Sequence, residues 1–168
     1  MLGKLRKVLK KIFKKKASKR NLTMNPCSMD KALGLFKNIT AYGAEYIELG
    51  ANVSFNDYCH LTANKNGNIK IGNDVLIGPY VIMNTGDHLY KDPLTKIRDQ
   101  GHVYEDITIG SDVWIGARVT ILRGSCICDG CVIAADSLIN RNTKTEVNGV
   151  YAGIQARLIS IRSKEESL

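Results

Sequence analysis

The sequence predicts an all-β solenoid, a parallel β-helix built from six-residue repeats. Three observations carry that expectation. Ile71, Ile77 and Met83 lie six residues apart, and Ile109, Ile115, Ile121, Ile127, Ile133 and Ile139 keep the same step without a slip. Four residues after these anchors stand small or β-branched residues (Val75, Val81, Val113, Val119, Ser125, Cys131 and Ser137), and the residue directly after an anchor is often Gly or Ala, as at Gly72, Gly78, Gly110, Gly116 and Ala134. A period of six is not the roughly 3.6 of a helix, and a plain strand period of about 2 does not explain the recurring Gly. Short extended segments joined by tight corners do explain it, with alternate side chains pointing inward and small residues letting the chain turn. Stacked coils then bury a column of Ile and Val that no single repeat buries alone.

Taken in chain order, the first element is a basic arm. Residues 1–20 hold ten of the 24 Lys and Arg and none of the 16 Asp and Glu, so residues 21–168 carry 14 against 16, a net of −2. The overall +8 therefore describes the arm and not the body, which weighs against a folded domain that grips a nucleic-acid backbone, and no nucleic-acid partner is expected. Leu2, Leu5, Val8, Leu9, Ile12 and Phe13 recur at helical spacing among the lysines. That pattern predicts an amphipathic cationic helix able to lie on an anionic membrane surface, each basic residue adding about 1 kcal/mol. No apolar run approaches the roughly 18 residues that cross a bilayer.

Residues 21–46 read as a linker and a first, weak turn near Ile39. The β-helix proper is expected over 47–162, with coils anchored at Leu49 to Leu61, Ile71 to Met83, Ile109 to Ile121 and Ile127 to Ile139, a weak turn near Val150 and a tail at 163–168. Two interruptions break the phase. Residues 62–68 shift it by four, which predicts a small loop, and residues 84–108 form a 25-residue excursion that carries His88 and His102. A solenoid does not need such an excursion, so it is where chemistry is expected.

The five cysteines include Cys126, Cys128 and Cys131, whose spacing suggests zinc at first sight. Cys128 and Cys131 instead fill the small slots of a hexapeptide, and His60, His88 and His102 lack a metal-binding pattern. No metal is expected. An odd number of cysteines predicts a reducing, cytoplasmic setting.

The segments IKIGNDVLIGPYVIMNTGDH (69–88), ITIGSDVWIGARVTIL (107–122), CVIAADSLINRN (131–142) and VYAGIQAR (150–157) resemble the hexapeptide acyltransferases. Within these, the resemblance is to the maltose, galactoside and nodulation sugar O-acetyltransferases and to polysaccharide O-acetyltransferases. It implies a left-handed parallel β-helix, a homotrimer with active sites between subunits, acetyl-CoA as co-substrate and a sugar or surface-glycan acceptor. It implies that His88 is the general base, since imidazole titrates near neutral pH and can take a proton from a hydroxyl as it attacks a thioester. Asn56 would position the acceptor, and the Ala117 N–H would bond the developing oxyanion. Trp114, facing outward, and His102 would contact substrate, while Ala117, Ala135, Arg141 and Arg157 would hold the cofactor. The pattern departs from the family at Gln155, in place of a proline, and at Asp136, in place of a glycine. An amine acceptor and a membrane-tethered scaffold without activity are the rival readings. The chain is expected in the cytoplasm, peripheral at the inner face of the membrane through residues 1–20.

Overall fold

The computed structural model describes residues 38–163; the basic arm and residues 164–168 lie outside the described residues, and the expected N-terminal helix with them. The described chain is the expected parallel β-helix. A leading strand β1 (Thr40–Tyr42) is followed by four full coils: β2 (Ile47–Leu49), β3 (Ser54–Phe55) and β4 (His60–Thr62); β5 (Ile69–Ile71), β6 (Leu76–Ile77) and β7 (Ile82–Asn84); β10 (Ile107–Ile109), β11 (Trp114–Ile115) and β12 (Thr120–Leu122); and β13 (Cys126–Ile127), β14 (Val132–Ile133) and β15 (Leu138–Ile139). Between the second and third coils a hairpin, β8 (Gly86–His88) and β9 (His102–Tyr104), leaves the stack. Strands β16 (Gly149–Ala152) and β17 (Arg157–Ile161) close it.

Each coil contributes one strand to each of three faces. The faces are a four-stranded sheet (β2-β5-β10-β13), a six-stranded sheet (β3-β6-β11-β14-β16-β17) and a five-stranded sheet (β1-β4-β7-β12-β15). Pairing within the stack is parallel, and equivalent hexapeptide positions lie directly above one another: Ile69 opposite Ile107, Ile115 opposite Ile133, Ile121 opposite Met83 and Ile139. The hexapeptide period fixes this register, because a one-residue slip would turn every anchor to solvent. Two pairs run antiparallel, β8 with β9 and β16 with β17. The phase break at 62–68 is a tight turn closed by the Asn64–Gly67 bridge.

The core is the predicted column. Ile47, Ile69, Ile77, Met83, Ile107, Ile115, Ile121, Ile133 and Ile139 are buried, together with the valines four residues after the anchors. Ile121 is wholly buried between Met83 and Ile139. Truncating it to alanine is expected to cost about 2–5 kcal/mol, because rigid coils above and below leave the cavity little room to collapse. Urea denaturation of Ile121→Ala checks this, and a loss below about 1 kcal/mol contradicts the packing described.

Cysteines fill core slots as the repeat predicts. Cys59 and Cys131 are buried, and their thiols hydrogen-bond to the Gly78 and Glu146 carbonyls at 3.2 and 3.1 Å. Burial raises the pKa of both thiols. Cys126 is exposed. A neutral-pH alkylation time course read by peptide mass should modify Cys126 quickly and Cys59 and Cys131 only on unfolding, since the thiolate is the reactive form. Among the described residues, no group of three or more His, Cys, Asp or Glu is placed to hold a metal ion. No described helix is long and apolar enough to cross a membrane.

Candidate active site

The site is built from two edges of the triangular stack. At the edge between the five-stranded and four-stranded sheets, the excursion leaves after β7 and re-enters before β10, and the Glu105 N–H donates to the Thr85 carbonyl at 3.0 Å where its two ends meet. His88 ends β8 and faces His102 across the hairpin in register. Their ring centroids are 4.3 Å apart, and Tyr104 stacks on His102 at 5.9 Å. Gly86 lets the strands close, because a Cβ there would stand 2.5 Å from the Tyr104 ring. A groove of about 570 Å³ opens beside His88, walled by Tyr90, Lys91, Arg123 and Arg141.

The distal loop of the hairpin is preformed. Gln100 donates to the Asp92 and Thr95 carbonyls at 2.9 and 2.7 Å and accepts from the Asp92 N–H at 3.1 Å. The Asp92 carboxylate accepts from the Thr95 hydroxyl and the Leu94 N–H, and these bonds, the hydroxyl first, hold it below its usual pKa. At the hairpin's root, Arg123 reaches Asp87 at 2.6 Å and Glu105 at 2.7 Å, and Arg141 reaches the same Glu105 oxygen at 3.0 Å.

The second edge lies between the six-stranded and five-stranded sheets. Here stand Ala117 and Ala135, two residues past the anchors Ile115 and Ile133. Equivalent positions also exist at the edge between the four-stranded and six-stranded sheets, and the two edges differ in chemistry. At that other edge, three successive such amides are capped by a side chain of the next coil: Ala51 N–H by Asn73, Asn73 N–H by Ser111 and Ser111 N–H by Asp129, at 2.8, 3.1 and 2.7 Å. At the Ala117 edge, the residue stacked above offers a methyl group and no acceptor. Neither the Ala117 nor the Ala135 N–H donates a hydrogen bond within the described chain. Gly78 and Gly116 let the coils approach here, since a Cβ on either would stand 2.7 or 2.6 Å from the Ala117 or Ala135 nitrogen.

Backbone conformation marks the same asymmetry. Positive φ recurs at both edges, at Asn52, Asp74, Asp112, Gly130 and Asn148 on the capped one and at Asn38, Tyr58, Tyr80, Arg118 and Asp136 on the other. Asn, Asp and Gly tolerate this region, whereas Tyr and Arg do so at a cost. The edge that departs from local preference is also the one with unpaired donors, and such departures concentrate where function requires them. Tyr58 and Tyr80 stack there at 5.0 Å. Asp136, which departs from the family pattern, is held by both arms of Arg118 at 2.6 Å.

The remaining expected residues divide between these edges. Trp114 faces outward on the six-stranded sheet with 56% of its surface exposed. Asn56 follows β3 on the same face and spends its side-chain N–H on the Ile77 carbonyl at 3.2 Å. Arg157 begins β17 and, paired with Ala152, stands toward the C-terminal end of the Ala117 edge. Its side chain makes no ion pair among the described residues. Arg141, expected alongside Arg157, sits instead with His88. One chain therefore joins His88, His102 and Arg141 on one edge and Asn56, Trp114, Ala117, Ala135 and Arg157 along the other, with the two- or three-residue strands of the five-stranded sheet between them. The period hid Arg123, Asp87 and Glu105, which come together only through the folded hairpin.

Residues 106–141 match the family model described as bacterial transferase hexapeptide (six repeats). The chain is 32% identical over 142 residues to WbbJ of Escherichia coli K12, named for O-acetyl transfer in lipopolysaccharide biosynthesis, covering 80% of this chain and 70% of that protein. The fold is similar to that of a maltose O-acetyltransferase from Clostridium difficile 630, with a TM-score of 0.67, 28% identity and coverage of 76% of this chain and 65% of that one. It is also similar to a hexapeptide-repeat acetyltransferase from Vibrio cholerae solved with acetyl coenzyme A, at TM-score 0.60, 26% identity and coverage of 73% and 64%. The matched segment thus spans slightly less than two thirds of either solved neighbour.

Proposed function

The chain belongs to the hexapeptide-repeat acetyltransferases, and on that premise we propose that it moves the acetyl group of acetyl-CoA directly onto a hydroxyl of a sugar or of a bacterial surface-polysaccharide precursor. The observation that carries the reading is the pair of unpaired amides at Ala117 and Ala135, a ready hydrogen-bonding rail on an edge whose counterpart is capped by side chains at Ala51, Asn73 and Ser111. Acetyl-CoA supplies an activated acyl group as a thioester. His88 takes the proton of the acceptor hydroxyl while its oxygen attacks the thioester carbon. The Ala117 N–H donates to the carbonyl oxygen as negative charge grows there. His88 then returns its proton to the departing thiol, so charge and protons balance without a covalent enzyme intermediate. Orientation of both substrates in one cleft supplies much of the rate.

Asn56, Trp114 and His102 serve the acceptor in this reading. The Ala135 N–H meets the amide-bearing arm of the donor, and Arg141 and Arg157 meet its phosphates. The two edges of one chain are brought together by neighbouring subunits of a homotrimer, so that each cleft takes His88 from one copy and the amide rail from the next. The WbbJ and maltose relatives support a sugar acceptor, and the former a surface glycan. The test is release of free CoA with a panel of sugars, glycan precursors and aminosugars. Turnover on hydroxyl acceptors is expected; turnover on amines alone, or none with any acceptor, overturns the reading.

The basic arm extends the proposal to a cytoplasmic enzyme held at the inner face of the membrane, close to lipid-linked glycan precursors. Three arms on one trimer would bind together and gain avidity. Cosedimentation with anionic vesicles should capture the full chain and release it in salt, while protein of residues 21–168 stays in the supernatant. Equal sedimentation of both removes the anchor.

A further inference from the structure

We propose that Arg123 is a positioning residue for His88, acting as an ionic clamp on the root of the hairpin. The inference rests on the reading of His88 as the base. Arg123 follows β12, one coil above the point where the excursion leaves, and Leu122 pairs in register with Asn84. Its side chain is only 17% exposed and its guanidinium is spent in two directions, its Nε on Asp87 at 2.6 Å and its Nη1 on Glu105 at 2.7 Å. Those carboxylates belong to opposite arms of the hairpin. Asp87 lies within β8, and Glu105 immediately follows β9. Arg141, from the fourth coil, adds a second cation to the same Glu105 oxygen at 3.0 Å. The third and fourth coils thus both hold the hairpin.

Successive side chains of a strand point to opposite faces. Pinning Asp87 against the stack therefore sets the direction of its neighbour His88, whose cross-strand partner is His102. A planar fork that spans two carboxylates fixes orientation as well as charge, and a lysine ammonium supplies the charge without the geometry. Arg123 hydrogen-bonds neither His88 nor the unpaired amides, and although it also walls the groove beside His88, its guanidinium is spent on the two hairpin carboxylates.

The experiment compares Arg123→Lys and Arg123→Ala with the wild-type full chain, measuring kcat, KM for acetyl-CoA, thermal midpoint and the ring resonances of His88 by NMR. Both variants should keep the thermal midpoint and the KM for acetyl-CoA while kcat falls by about 10–100-fold, the cost of a displacement near 1 Å. Lysine should fail to rescue, and the His88 resonances should move. Wild-type kcat in Arg123→Ala, full rescue by lysine, or a rise in KM that accounts for the whole loss overturns the proposal. If Arg123→Ala does not fold, Asp87→Asn carries the test, since it removes one arm of the clamp and leaves the other; an unchanged kcat there overturns it equally. The resonances read the clamp independently of turnover. A wild-type chain inactive toward acetyl-CoA would sink the parent reading, and unmoved His88 resonances in Arg123→Lys would sink the clamp.

Discussion

Replacing His88 by alanine is expected to lower turnover by about 10²–10⁴-fold, the contribution of a positioned general base. The fold should not register the change. His88 ends β8 on the excursion, exposed and outside the buried column, so its removal opens no cavity in the stack. The effect should fall on kcat, because a hydroxyl that keeps its proton is a poor nucleophile however well it is bound. His102, 4.3 Å away by ring centroid, is the internal control. If His88 is the base and His102 a substrate contact, His102→Ala should raise the KM for the acceptor and cost much less in kcat. Near-normal turnover of His88→Ala would falsify the assignment, and reversal of the two effects would exchange the roles.

The second large effect is expected from a change of one atom. Ala135→Ser places a hydroxyl in the slot from which Ser111, at the equivalent position of the other edge, accepts the Asn73 N–H at 3.1 Å. The new oxygen should accept the Ala117 N–H in the same way and withdraw it from the carbonyl it would serve in the proposed reaction. Loss of a single oxyanion donor costs about 10²–10³-fold in kcat. The thermal midpoint should hold or rise, since a free amide gains a partner. Ala135→Cys adds similar bulk with a much weaker acceptor, so it separates capping from crowding. Equal losses in the serine and cysteine variants would assign the effect to size and remove the argument from the unpaired amide.

Most of the scaffold was legible because each inward anchor repeats a single physical demand. The run from Ile109 to Ile139 marks its own register, and the stack pairs those residues as the period implies. β17 was not legible: Arg157–Ile161 is exposed along its whole length, lacks the inward anchor and turns back antiparallel on β16. Arg123, Asp87 and Glu105 were invisible for another reason, since their ion pairs join residues 36 and 18 apart across a hairpin whose path the period cannot give. The Ala117 amide lies between these cases. Its availability was written in the residues two after each anchor, Asn73, Ser111 and Asp129 at one edge against Pro79, Ala117 and Ala135 at the other. Only the stacked coils reveal that the first set caps amides and the second leaves them open. Asp136 shows the reverse case, a charge that departs from the family pattern and is neutralised by Arg118 eighteen residues earlier.

The meeting of Thr85 and Glu105 at 3.0 Å has a consequence for how such an enzyme changes over time. Because the excursion leaves and rejoins the stack at adjacent points, its contour is decoupled from the pitch of the coils. Each doubling of such a loop costs only about 0.6 kcal/mol in closure entropy. The segment carrying His88 can therefore be lengthened, shortened or exchanged as a cassette while the Ala117 and Ala135 amides stay in place. Under the proposed function, acceptor choice becomes a replaceable module on a donor platform held constant, and exchanging residues 86–104 between relatives is the direct route to moving it.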